Sequence, residues 1–119
     1  MGTIVAPDID FGSLEQRGRQ LGLDLGDLAV IVGVDPSTLW RWRQREAPPR
    51  RALVVSRLVQ ITELFDLLRR LFDGPDLART WLRDARPASL GGTETPLAVL
   101  RAGRIDRILG LLHTLAVGG

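Results

Sequence analysis

The sequence predicts an all-α protein, and three observations carry that reading. Leu, Ala, Arg, Glu and Gln, which favour helix, dominate the chain,. No run of alternating β-branched and polar residues continues long enough for a sheet. Apolar residues instead recur at three- and four-residue steps, most clearly at Leu53, Val54, Leu58, Ile61, Leu64, Phe65, Leu68, Leu71 and Phe72,. With 119 residues, 45% of them apolar, the chain suits one domain or two small lobes sharing a core,.

Each element is marked by its punctuation. Residues 1–12, with Gly2, Pro7 and Gly12, read as a flexible arm,. Ser13 and Gln16 have capping-box spacing, which predicts a first helix over 14–21 ending at Gly22. Asp24 suits the N-cap of a second helix, LGDLAVIV, closed by Gly33,. Asp35-Pro36 then supplies a cap and a first-turn proline for a third, stopping before Pro48-Pro49. These three helices make an N-terminal lobe at residues 13–49. A long amphipathic connecting helix over 50–74, broken by Gly74-Pro75, offers one face to that lobe and another to the C-terminal residues or to a second subunit. Residues 75–119 form a smaller helical lobe: PDLARTWLRDARP with Trp81 and Leu82 turned inward, Trp81 burying beside Leu82 and Leu77, a loop around Gly91-Gly92, a short helix opened by Pro96, and the last helix, RIDRILGLLHTLAVGG.

Charge is distributed unevenly. All sixteen basic residues are arginine, a bias that codon composition alone accounts for, but their placement is informative. Residues 1–35 carry a net charge of −4, residues 36–57 of +5 and residues 58–119 of +1. A nearly neutral chain thus concentrates its positive field in one short segment, which favours a polyanionic partner, nucleic acid first.

Within that segment the spacing matches a helix-turn-helix. Ala29 is small where two helices must approach, and Gly33, four residues on, sits in the turn. Leu39 and Trp42 form the inner face of the third helix beside Leu28 and Val34. Ser37, Thr38, Trp40, Arg41, Gln44 and Arg45 then point outward, with Arg43 at the flank. Arginine can bind guanine bidentately and glutamine can bind adenine, while Ser37 and Thr38 near a helix N-terminus suit a phosphate. Arg50, Arg51 and Arg57 extend the phosphate-contacting surface. A solvated arginine face on a helical hairpin is the alternative meaning of the same charges. Trp40 has two readings as well, as an apolar contact to DNA or as a ring laid over a neighbour or a dimer partner.

Several classes are disfavoured. Without cysteine there is no disulfide or thiolate metal site, and a cytoplasmic location is the simplest expectation,. The start lacks the pattern of a signal peptide, and no apolar stretch reaches the ~18 residues a membrane span needs. No nucleophile is paired with a base, GxGxxG and GxxxxGKS do not occur, and His113 stands alone at a surface or half-buried structural position. The protein is therefore expected to be no enzyme, with no catalytic residues, no metal and no cofactor.

The stretch from Leu77 to Gly118 resembles the toxin-binding domain of the Xre/MbcA/ParS-type antitoxins. Trp81-Leu82, Pro87, Leu90-Gly91-Gly92, Thr95-Pro96-Leu97 and Gly103 ahead of a glycine-ended amphipathic helix carry the resemblance. With the Xre-like helix-turn-helix upstream, it covers almost the whole chain. The resemblance implies an antitoxin of a type II toxin-antitoxin system whose partner is a RES-domain, NAD-degrading toxin or a related ADP-ribosyltransferase. It further implies a homodimer, a hetero-oligomer with the toxin, and repression of the operon through operator DNA. Carried onto this chain, it places toxin contacts at Gly91, Gly92, Thr95, Pro96, Arg104, Arg107, His113, Ala116, Val117, Gly118 and Gly119. The Val117-Gly118-Gly119 end departs from the family in lacking a bulky or charged plug for a cofactor cleft. A free-standing dimeric helix-turn-helix regulator without a toxin, and an adaptor that holds another protein without binding DNA, are the competing readings.

Overall fold

The computed structural model describes residues 10–44 and 51–118. Its seven α-helices are, in chain order, α1 (Phe11–Gln20), α2 (Leu25–Val32), α3 (Pro36–Arg43), α4 (Ala52–Leu71), α5 (Pro75–Asp84), α6 (Pro96–Arg101) and α7 (Ile105–Gly118), with a 3-10 turn at Ala88–Leu90. The protein is all-helical, as its periodicity requires. The expected start of α4 at Arg50, and the chain between Gln44 and Arg51, lie outside the described residues.

Local chemistry sets most boundaries. Asp24 caps α2 by accepting from the Asp27 backbone N–H at 2.8 Å, while the Asp27 carboxylate accepts from the Asp24 N–H at 3.0 Å. Both otherwise orphaned donors are thereby satisfied. Gly33 closes the helix at φ +84°, a left-handed conformation that costs glycine nothing, and its N–H bonds to Ala29 at 2.8 Å,. Pro36, Pro75 and Pro96 each stand in the first turn of a helix,.

The first helix begins earlier than expected. Its cap is Asp10, whose carboxylate accepts from the Ser13 N–H at 3.1 Å, so Ser13 and Gln16 lie inside α1 and form no capping box. Phe11, assigned to the arm, instead packs on Trp42 with ring centroids 5.7 Å apart. Aspartate caps as well as serine, and the ring contact rewards helix from Phe11 onward.

One continuous core joins the elements. Leu14 from α1, Leu28 and Ile31 from α2, Leu39 and Trp42 from α3, Leu58 to Leu68 from α4, Leu82 from α5, Leu100 from α6 and Ile105 to Leu112 from α7 belong to a single apolar cluster. Helix α4 is its axis, packing most extensively along α7 and also against α1, α2 and α5. Burial of this kind, at about 1.5–3 kcal/mol for each large aliphatic side chain, is what holds helices of six to fourteen residues in place around it,. Ion pairs also join the helices, among them Arg17 to Asp66 between α1 and α4 at 2.8 Å and Arg101 to Asp27 between α6 and α2 at 3.1 Å. Two residues depart from the expected pattern. Leu53 and Leu77 are 68% and 54% exposed, while Val54 and Ala78 beside them in the same first turns are buried, so each leucine falls on the outer face of its helix.

Candidate nucleic-acid and partner-binding surfaces

Helices α2 and α3 meet through small and apolar residues. Ala29 is buried at the crossing, and the Val34 N–H also bonds to its carbonyl, at 3.0 Å, which tightens the turn. Leu39 and Trp42 face the core of the lobe, leaving the other side of α3 in water. Trp42 is 9% exposed and Trp40 49%. That division reflects helix geometry, since residues two apart point roughly 200° away from each other.

The outward side of α3 brings Ser37, Trp40, Arg41 and Gln44 together as exposed residues, with Thr38 half-buried beside them. Among the described residues Arg41 has no ion-pair partner. Arg43 is different: its Nη1 donates to Glu15 Oε2, so this flank arginine is tied to α1. Arg45 and Arg50 lie outside the described residues. Arg51 and Arg57 line a cleft of about 310 Å³ with Val30, Gly33, Leu53 and Gly103, next to the turn between α2 and α3. Arg41, Arg51 and Arg57 therefore sit on or beside one helical hairpin.

At the other end, the expected partner-facing residues divide into two sets. Gly91 and Gly92 are exposed at φ +89° and +74°, forming the sharp loop their sequence predicts. Arg86 braces that loop by donating to the Thr93 carbonyl at 3.1 Å. Thr95 spends its hydroxyl as the cap of α6, accepting from the Ala98 N–H at 3.2 Å, and Pro96 is buried.

Helix α7 is docked on α4 through Ile105, Ile108, Leu109 and Leu112. Beyond Leu112 its described residues are exposed, Leu115 and Val117 among them, the latter at 88%. Arg104 and Arg107 are also exposed, and Gly119 lies outside the described residues. His113 does not stand alone: its Nε2 lies 2.5 Å from Glu63 Oε1, linking α7 to α4. Trp81 packs on Phe72 with centroids 5.5 Å apart and is half-buried beside fully buried Leu82. Leu77 does not join them.

Sequence reasoning missed Glu15, Glu63 and Leu115. The first two are partners distant along the chain; Leu115 is an ordinary helical leucine until the structure shows it 44% exposed. Among the described residues no three His, Asp or Glu side chains cluster as metal ligands, and no helix is long and apolar enough to cross a membrane.

The described residues thus form an all-α protein in which α2 and α3 meet in a tight hairpin and the end of the last helix is exposed. No family model matches the chain. Over 118 residues it is 28% identical to the mycobacterial cidal antitoxin MbcA of Mycobacterium bovis and of two strains of Mycobacterium tuberculosis, covering 99% of this chain and 97% of each relative. The chain is homologous to MbcA from end to end. Its fold is that of a chain in the crystal structure of the M. tuberculosis MbcT–MbcA toxin–antitoxin complex, with a TM-score of 0.62 and 24% identity over 93% of this chain and 96% of that one.

Proposed function

We propose that this protein is an antitoxin that binds and neutralises a cognate toxin of the RES type, a NAD-degrading or ADP-ribosylating enzyme. The supporting observation is the end-to-end similarity to MbcA, which includes the C-terminal lobe as well as the helix-turn-helix. The exposed end of α7 is the docking element: Leu115 and Val117 present apolar surface that a partner would remove from water,. Arg104 and Arg107 flank the start of α7, while Gly91 and Gly92 shape the neighbouring loop. Its role is stoichiometric rather than enzymatic.

The same chain binds its operator through α3 and represses its own operon. Support comes from the exposed set Ser37, Trp40, Arg41 and Gln44 on a helix whose opposite face is buried, within the segment of highest positive charge,. A homodimer presents two such helices to two half-sites, and a hetero-oligomer with toxin joins both activities in one particle. Coexpression with the toxin reading frame beside the gene tests the antitoxin role. Rescue of growth and copurification of the two chains are expected; continued toxicity with no complex would leave a free-standing regulator.

A further inference from the structure

Helix α1 presents two residues one turn apart, Phe11 and Glu15, to two consecutive residues of α3, Trp42 and Arg43. Glu15 is 8% exposed, the buried charged residue among those described. Both of its oxygens are engaged: Oε2 accepts from Arg43 and Oε1 from Arg19 Nη2 at 2.9 Å. A carboxylate withdrawn from water is tolerated only with such partners, so the Arg43 guanidinium is held toward α1. Residue 43 also points roughly 200° away from Arg41 around the helix, and about 100° from Gln44. The guanidinium therefore lies off the face that carries the exposed polar residues.

We propose that Glu15 and Arg43 are a positioning pair that fixes the rotation of α3 for base reading, and that Arg43 itself touches neither base nor phosphate. This inference rests on the DNA-binding role proposed above. Helix α3 has eight residues, and at its start the expected Asp35 cap makes no side-chain hydrogen bond. At its far end the Phe11–Trp42 contact sets its depth, but a ring contact tolerates rotation. The ion pair one residue on removes that freedom. Bidentate recognition by Arg41 or Gln44 demands orientation within about 10–20°, so a small turn of the helix costs specificity before it costs affinity.

The test uses the full chain, its own promoter fragment and an unrelated duplex of equal length, with binding measured across a range of salt and each variant checked for folding by urea denaturation. Glu15→Gln leaves one acceptor oxygen for two guanidiniums; Arg43→Ala removes the donor; Arg43→Lys keeps a charge that can reach Glu15. Glu15→Gln and Arg43→Ala are each expected to reduce preference for the promoter about tenfold, and the double variant no further, because they disable one device. Arg43→Lys retains most of the preference, and affinity for unrelated DNA and the salt slope stay unchanged. If Arg43→Ala instead weakens both duplexes alike and lowers the salt slope by about one while Glu15→Gln does not, Arg43 is a phosphate contact and the proposal is wrong. A promoter preference that survives both single variants overturns the pair alone. Absence of preference in the unmodified chain overturns the DNA-binding role and the pair together.

Discussion

The last turns of α3 and α7 are built in opposite ways. Helix α3 ends with Trp42 packed on Phe11 and Arg43 paired with Glu15, so the turn is tied to α1 by an apolar and an ionic contact. Helix α7 buries nothing beyond Leu112 among its described residues, and the His113–Glu63 pair is its last side-chain link to α4. The contrast matches the two proposed tasks. A helix that reads base edges has to be held in one orientation, because its hydrogen bonds are directional. A helix end that docks into a partner protein gains from apolar surface that stays in water until the partner arrives.

The comparison breaks most visibly at Trp42. Trp42→Ala should cost about 3–5 kcal/mol of stability, because a large ring leaves a cavity against Phe11 and Leu39, and urea denaturation would show it as an early midpoint. Operator and toxin binding should fall together. Next in size is the paired change Leu115→Asp and Val117→Asp. Each residue would bury about 1.5–3 kcal/mol of apolar surface against a partner, so toxin affinity in titration calorimetry should drop at least about a hundredfold. The melting temperature should hardly move, since neither side chain is buried in the free protein.

Smaller effects refine the α3 side. Arg41→Ala and Gln44→Ala should each remove about 1–3 kcal/mol of specific operator affinity, measured by titrating a labelled promoter fragment, with toxin binding intact. Trp40→Ala should weaken operator binding without changing stability; an unchanged operator affinity would assign the exposed ring to another contact. His113→Ala should be the mildest, about 0–1 kcal/mol of stability, because the pair with Glu63 is largely exposed,. A large loss of stability there would contradict the picture of a lightly tethered α7.

What the sequence made legible is what neighbouring residues decide. Asp24, Gly33, Pro36, Pro75 and Pro96 all mark helix ends where expected, because capping, left-handed turns and first-turn prolines are local chemistry. The opposite fates of Trp40 and Trp42 are set by helix period once one face is assigned to the core. The side-chain pairs between helices were invisible for the complementary reason: Glu15 and Arg43 lie 28 residues apart, Glu63 and His113 50, Asp27 and Arg101 74. No pattern within a single helix announces a partner on another. Periodicity also overreached at Leu53 and Leu77, since of two adjacent apolar residues it does not say which lies on the buried face; Val54 and Ala78 take that place,. Thr95 and Pro96, which belong to the motif that carries the resemblance, also start α6.

We propose that this chain is an antitoxin whose exposed α7 end docks on its toxin, and copurification tests that docking most directly. The untagged chain, coexpressed with a tagged, catalytically disabled form of the adjacent toxin, should be retained through affinity and size-exclusion steps as one complex. The variant carrying Leu115→Asp and Val117→Asp, equally folded, should be lost at the first wash. Failure of the unmodified chain to form any complex would contradict the antitoxin role, and equal retention of the variant would contradict docking through α7.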